Sequence, residues 1–141
     1  MDDVAWVHTL VFPPGLETMN SNHRRNRYEA NRLTQMWKGT AITLARAARI
    51  PRLERTFVVS EFRPPRQGTR DAANLYPTVK ACLDGIVVAG VLADDSQTYV
   101  QGPFPKLGLV FKDRVRDPLK RGQMLIHLHP WRDDMTHVTP L

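Results

Sequence analysis

Five short segments contain closely spaced apolar side chains, many of them β-branched or aromatic, between turn residues, and this pattern predicts β-strands. The first strand is expected to end at Pro13-Pro14, because proline has no backbone N–H to donate to a sheet. Two later segments flank Gly102-Pro103 and are predicted to pair around that turn. The predicted strands are 5–12, 56–62, 98–100, 107–111 and 124–129.

Two longer segments, 28–48 and 75–89, have apolar residues at the spacing of an amphipathic helix. The second has Asp71 or Asn74 available as its N-terminal cap and Gly90 just past its end. The resulting order, β-α-β-α-β-β-β, predicts an α+β fold: one domain over 1–141 with two main helices packed on a mixed β-sheet. The residues expected to face the core are Leu33, Met36, Trp37, Ile42 and Leu44 in the first helix and Leu75, Val79, Leu83, Ile86 and Val87 in the second.

The balance of charge favours a polyanionic partner. Twenty Lys and Arg residues against fourteen Asp and Glu residues give a net charge of +6. Many of the basic residues are grouped arginines, such as Arg24, Arg25 and Arg27, and the guanidinium group matches phosphate oxygens. The alternative is that each group forms only a solvated surface.

The single cysteine and the short apolar runs predict the cellular compartment of the protein. Cys82 has no partner for a disulfide within the chain and lies in an apolar helical segment, so a reducing cytoplasm and a buried thiol are expected. No apolar run approaches the ~20 residues that span a bilayer, so no membrane partner is expected.

Carboxylates at both ends of the second helix are the most informative feature of this basic chain. Asp71 precedes the helix, Asp84 lies within it, and Asp94-Asp95 follow it, with Lys80 between them. Such groups suit Mg²⁺, which takes hard oxygen ligands and commonly only one or two carboxylates, the remainder being water and substrate phosphate. The structural alternatives are a helix cap for Asp71, an ion pair with Lys80 for Asp84, and turn residues for Asp94-Asp95.

Other motifs give weaker indications. The chain has no phosphate-binding glycine loop, no dinucleotide fingerprint and no paired cysteines for zinc. His127 and His129 share one side of the last strand, but no third metal ligand is near them in the sequence. A small RNA-binding domain would need stacking aromatics on adjacent strands, which the predicted strands do not provide.

Residues 70–100 resemble the RusA family of phage and prophage Holliday-junction resolvases. The family motif, Asp-x-Asp-Asn-x-x-Lys followed by a helix, a Gly and an Asp-Asp pair, corresponds here to Asp71, Asn74, Lys80, Gly90 and Asp94-Asp95. The opening strand, the Pro-Pro pair and the loop rich in Asn and Arg after it are also similar. The resemblance implies a homodimeric, Mg²⁺-dependent endonuclease that cuts four-way DNA junctions in the cytoplasm of a bacterial host.

The resemblance also implies roles for particular residues. Asp71, Lys80 and Asp95 would be catalytic, with Lys80 and the metal offsetting charge on the phosphate. The second family aspartate falls at Ala73, which cannot bind a metal, and 76–78 look inserted. A non-catalytic binder of branched DNA is therefore the main alternative. The expected metal ligands are Asp71, Asp84, Asp94 and Asp95, and the expected DNA-binding residues are Asn20, Asn22, Arg24, Arg25, Arg27, Arg66, Arg70 and Asn74.

Overall fold

The computed structural model describes residues 6–68 and 71–133 and contains four strands and two helices. A short 3₁₀ turn leads directly into the second helix. The elements in chain order are β1 (His8–Val11), α1 (Arg27–Ala47), β2 (Thr56–Arg63), the 3₁₀ turn (Ala72–Leu75), α2 (Tyr76–Val88), β3 (Val100–Leu107) and β4 (Gln123–Pro130).

The four strands form one mixed sheet in the order β1-β4-β2-β3. β4 is antiparallel to both of its neighbours, β1 and β2, whereas β2 and β3 are parallel. This mixed sheet with two helices confirms the α+β fold that the sequence predicts.

The predicted hairpin around Gly102-Pro103 is wrong, because β3 runs straight through these two residues. The pairing of β3 with β2 shifts register between Phe57 and Val59, so the extra length is absorbed in a bulge. Gly102 has φ +99°, and a Cβ there would lie 2.7 Å from the Val58 oxygen. Pro103 is tolerated because β3 is an edge strand.

The ends of α1 and α2 lie within one residue of the predicted segments 28–48 and 75–89. The Asn26 side chain caps α1 by accepting a hydrogen bond of 2.7 Å from the Glu29 N–H. At the end of α2, Gly90 has φ +85°, and the Val91 N–H donates to the Ile86 oxygen, as in a Schellman motif.

The helices pack on one face of the sheet and enclose the core. The deepest side chains of α1 are Leu33, Trp37, Ala41 and Ala45, so the buried stripe repeats every fourth residue, and Ile42 lies beside it. In α2, Val79, Leu83 and Ile86 are buried as predicted. The sheet contributes a second set of buried core residues: Leu10, Phe12, Val58, Phe62, Val100, Met124, Ile126 and Leu128.

Successive side chains of a strand point to opposite faces, so the sheet has a second face away from the helices. Phe57, Val59 and Leu125 are buried but do not belong to the core under the helices. We call this side the outer face; its residues are Thr9, Phe57, Val59, Glu61, Phe104, Leu125, His127 and His129. Among the described residues, neither helix combines the length and apolar composition that crossing a membrane requires.

Candidate nucleic-acid and metal site

The loop before α1 is fixed against the beginning of α2. The Thr78 hydroxyl accepts a hydrogen bond of 2.7 Å from the Met19 N–H and donates one of 2.9 Å to the Met19 oxygen. Two residues further, the Ser21 N–H donates to the Asn74 oxygen at 2.7 Å. These contacts hold the Asn-rich loop beside the 3₁₀ turn.

A cavity of about 660 Å³ opens where this loop, the segment after β2 and the 3₁₀ turn meet. Four residues that the sequence analysis assigned to metal or DNA binding line it: Asn20, Arg66, Asp71 and Asn74. They come from three separate segments of the chain, so the fold brings together part of the predicted site. We call it the polar cavity; its full lining is Asn20, Phe62, Arg66, Gln67, Gly68, Asp71, Ala72, Asn74, Leu75 and Leu107.

Asp71 has a structural role as well as a place in the polar cavity. One of its oxygens, Oδ1, accepts a hydrogen bond of 3.0 Å from the Ala73 N–H and so caps the 3₁₀ turn. The sequence predicted Asp71 or Asn74 as the cap of the second helix itself, but Asp71 caps the short turn before α2, and the N-cap residue of α2 is Leu75, without a side-chain hydrogen bond. Asp71 is exposed to solvent at the beginning of that turn.

Lys80 forms a cluster with two of the other predicted carboxylates. Its ammonium nitrogen lies 2.9 Å from Asp84 Oδ1, one turn along α2, and also contacts Asp95 Oδ2. The hydrogen bond to Asp95 has the largest effect on the pKa of Lys80 and raises it. The hydrogen bond to Asp84 raises this pKa further, and burial opposes both effects. The hydrogen bond from Lys80 likewise lowers the pKa of Asp95.

Asp94 contacts its neighbour in the chain. Its Oδ1 accepts a hydrogen bond of 2.7 Å from the Asp95 N–H, so Asp94 acts as a turn residue. Asp84 is thus an ion-pair partner of Lys80, and Asp94 is a turn residue. Both roles are structural alternatives that the sequence left open. The two carboxylates bound to Lys80 have their negative charge offset by its ammonium group.

The described residues contain no group of three or more His, Cys, Asp or Glu side chains that could hold a metal ion. Asp71, Asp84, Asp94 and Asp95 are therefore not brought together as a four-carboxylate site. The donors in the polar cavity are the Asp71 carboxylate and the amides of Asn20 and Asn74. They are hard oxygen ligands, and one carboxylate is within the usual requirement of Mg²⁺ when phosphate and water complete its shell.

The remaining predicted DNA-binding residues have different environments. Asn22, Arg24 and Arg27 are exposed, as phosphate contact requires. Arg25 instead lies 2.9 Å from Glu17 Oε2 and donates to the Thr18 oxygen at 3.2 Å, so its guanidinium is engaged within the protein. Arg70 lies outside the described residues.

A chain of hydrogen bonds on the outer face was not predicted from the sequence. His127 Nε2 lies 2.8 Å from Glu61 Oε1, and its Nδ1 lies 2.9 Å from the Thr9 hydroxyl. Burial acts to raise the pKa of Glu61, but the hydrogen bond and charge of His127, with Arg63 and Lys106 nearby, outweigh it and lower the pKa. Alternation placed His127 and His129 on one side, but strand order was needed to find Glu61.

Burial lowers the pKa of His129, and the charges of His127 and Arg132 lower it further. Cys82 is fully buried, as predicted, and burial raises the pKa of its thiol. A buried thiol with a raised pKa is a poor nucleophile.

No protein-family model matches the chain, and a search of curated proteins finds no match either. The function proposed below therefore depends on the residues and geometry described above and on the resemblance over 70–100.

Proposed function

We propose that this protein is a RusA-like endodeoxyribonuclease that acts on branched DNA, with the four-way junction as its substrate. The observation that carries the proposal is the polar cavity, to which Asn20, Arg66, Asp71 and Asn74 all contribute. Asn20, Asp71 and Asn74 belong to the segments that resemble the RusA family. The net charge of +6 supports a polyanionic substrate.

In this proposal the polar cavity receives a backbone phosphate. Arg66 attracts the phosphate, and exposed Arg24 and Arg27 contact its neighbours along the strand. Asp71, with Asn20 and Asn74, would hold Mg²⁺. When bound, Mg²⁺ supplies an activated water and offsets charge on the phosphate oxygens.

Lys80 is not among the described residues that line the polar cavity. It is proposed to remain protonated and to act from beside the cavity, through its charge, on negative charge that develops on the substrate. Its raised pKa supports a permanently charged ammonium group at neutral pH. Asp84 and Asp95 contact that ammonium group and so fix its position. A homodimer is proposed because a two-fold axis would present two such sites to opposite strands of a junction. The bacterial cytoplasm remains the proposed location.

A second candidate is a binder of branched DNA that does not cut it. Two observations favour it: Ala73 occupies the position of the second family aspartate, and the described residues contain no three-carboxylate group. This candidate keeps the cavity and the basic surface but assigns Asp71 and Asp95 structural roles only.

The test is incubation of the purified protein with an end-labelled synthetic four-way junction, with Mg²⁺ or with EDTA. Symmetrical, Mg²⁺-dependent cuts near the branch point would support the nuclease. Binding to the junction without cutting under any metal condition would support the second candidate. A linear duplex of the same length is the control substrate.

Salt dependence tests the phosphate contacts separately. With ~6 or more such contacts, the junction affinity should fall by orders of magnitude between about 50 and 200 mM salt. Equal affinity for the junction and the duplex at moderate salt would contradict both candidates and leave only general DNA binding.

A further inference from the structure

Aromatic side chains from three adjacent strands meet on the outer face. Phe57 of β2 stacks on Phe104 of β3, with ring centroids 4.9 Å apart and an angle of 30° between the rings. His129 of β4 lies edge-on to Phe57 at 6.0 Å. The sequence did not show this group, because Phe104 lies outside the strands predicted from the sequence, whereas it belongs to β3. Rings on adjacent strands are the arrangement by which sheets stack nucleic-acid bases.

Two arginines lie against these and neighbouring rings. The Arg132 guanidinium is 5.2 Å from the centre of the Phe57 ring, and that of Arg55 is 4.3 Å from the Trp131 ring. The backbone of Arg132 is held at both its N–H and its oxygen by the Gln101 side chain, at 2.9 and 2.6 Å. Arg55 and Arg132 are exposed, so both guanidinium groups can still donate hydrogen bonds to a phosphate on the solvent side.

A second cavity, of about 430 Å³, is lined by Trp131 and Arg55 of this group. Trp6 and Trp131 line it together with Arg52 and Arg55, so a planar base inside it would meet aromatic rings and cationic groups. Glu54 is the carboxylate in this lining, and the two arginines outnumber it. The local charge therefore complements a phosphate backbone.

We propose that this part of the outer face binds single-stranded nucleic acid. Bases stack on Phe104, His129 and Trp131, and the backbone phosphates contact Arg55 and Arg132. Stacking accepts any base, because every base has a π-face, and cationic side chains beside the rings follow the backbone. We call this surface the aromatic face; it comprises Arg55, Phe57, Phe104, His129, Trp131 and Arg132.

The aromatic face is separate from the polar cavity. It lies at the beginning of β2, whereas the cavity is lined by Phe62 and Arg66 at and beyond its end. Phe57 and Phe62 are five residues apart in β2, roughly 16 Å at about 3.3 Å per residue, and their side chains point to opposite faces of the sheet. This proposal does not depend on the nuclease activity proposed above.

A second copy of this chain is the other occupant to consider. A two-fold interface would place the same surface of both copies together. Arg55 and Arg132 of one copy would then face the same arginines of the other, and like charges oppose such contact. Charge therefore favours nucleic acid over self-association.

The test is fluorescence anisotropy with labelled single strands of about 15 nucleotides, the length that one compact domain can contact. Three probes carry the same number of phosphates: oligo-dT, oligo-rU and an abasic deoxyribose strand. We expect dT or rU to bind at least about five-fold more tightly than the abasic strand, because base stacking contributes at this level per base. The tighter of the two shows which of these strands is preferred. Equal binding of all three probes would overturn the proposal.

Variants locate the binding surface. Trp131→Leu should weaken binding of the preferred strand by about five-fold or more, whereas Trp131→Phe should retain most of it. Arg132→Ala should weaken binding and reduce its salt dependence. The matched control is Arg46→Ala, which removes the same charge from the exposed side of α1 in the helix layer.

Light scattering and thermal melting accompany each variant. A folded Trp131→Leu variant that binds the strand as tightly as wild type would overturn the proposal. A folded variant that becomes monomeric with no change in strand binding would overturn it as well. If Trp131→Leu fails to fold, Arg132→Ala alone decides, because Arg132 is exposed and its side chain is not part of the core.

Discussion

Lys80 and Asp95 form an ion pair that joins the middle of α2 to the loop beyond its end. Fifteen residues separate them in the sequence, and the hydrogen bond between them raises the pKa of Lys80 and lowers that of Asp95. Asp71 does not take part in this pair; it lines the polar cavity and caps the turn before α2. The resemblance to the RusA family assigns Asp71 and Asp95 the same role as metal ligands, but the two residues have different neighbours in the structure.

This difference leads to distinct expectations for Asp71→Asn and Asp95→Asn. Both should abolish junction cleavage if the nuclease proposal is right. Asp71→Asn removes the one carboxylate of the polar cavity, so junction binding should stay intact or tighten as repulsion of phosphate falls. Asp95→Asn frees Lys80 from one partner and should also lower stability modestly, by about 1 kcal/mol or less for a partly exposed pair. Gel assays of cutting and binding, with urea unfolding, measure these effects.

Asp113→Asn is the control for this pair, because Asp113 is an exposed carboxylate whose ion pair is with Arg116, in the loop before β4. It should cut at the wild-type rate. A wild-type cutting rate in Asp71→Asn or Asp95→Asn would show that the residue is neither a metal ligand nor a positioning group.

Ala73→Asp addresses the position at which the chain departs from the family motif. Ala73 does not line the polar cavity but a neighbouring one, with Tyr76 and Pro105. If Mg²⁺ binds between the two cavities, the added carboxylate should strengthen Mg²⁺ binding, so that cleavage saturates at a lower metal concentration. The measurement is a Mg²⁺ titration of junction cleavage by wild type, Ala73→Asp and Asp84→Asn. Asp84→Asn should have little effect on the metal requirement, because Asp84 is bound to Lys80.

The titration also separates the two proposed functions. A wild type that never cuts, with an Ala73→Asp variant that cuts well, would favour the non-catalytic binder. Loss of activity in Asp84→Asn with no benefit from Ala73→Asp would contradict our assignment and would place Asp84 among the ligands.

Local sequence patterns were enough to predict the helices and most of the strands. Asn26, Gly90 and the apolar spacing determine helix ends and faces through interactions between residues close in sequence. The pairing of strands was not predictable in this way. Gly102-Pro103 has the composition of a turn, and only the parallel neighbour β2, from more than forty residues earlier, allows the chain to continue there as a bulged edge strand.

The candidate site follows the same division. The Lys80–Asp84 contact follows from four-residue helical spacing and was one of the alternatives that the sequence left open, whereas Glu61 and His127 meet only because β2 and β4 are neighbours. Phe57 and Phe104 likewise meet across two strands. Helical contacts are encoded locally, but contacts across a sheet depend on strand order and register.

His129 should make the stability of the protein depend on pH. Its pKa in the folded protein is lowered by burial and by the charges of His127 and Arg132, below the ordinary value of 6.5 that applies in the unfolded chain. The unfolded state therefore takes up a proton more readily in the interval between the two values. The free energy of unfolding should decline as the pH falls through 6.5 and should stop declining, for this group, below the folded pKa.

The measurement is urea unfolding at several values between about pH 5 and 8, for wild type and His129→Gln. The variant has no proton to gain at this position, so its stability should decline less over the interval. Parallel curves for the two proteins would show that His129 has the same pKa in both states. His23→Gln, in the exposed loop before α1, is the matched control.

Gly85 and Gly39 provide a matched pair for the packing of α1 against α2. A Cβ on Gly85 would collide with the Lys38 carbonyl oxygen and lie 2.9 Å from the Ala41 Cβ, so the two helices can approach closely only with glycine here. Gly85→Ala should therefore destabilise the protein by about 1–3 kcal/mol through overpacking.

Gly39 is exposed in α1, and no atom lies within 4 Å of a Cβ built there. Gly39→Ala should instead stabilise the protein by about 0.5–1 kcal/mol, because alanine has the higher helix propensity. Both changes add one methyl group to a helical glycine, so their urea unfolding curves should shift in opposite directions. A stabilising shift in both variants would mean that α1 and α2 are not in close contact at Gly85.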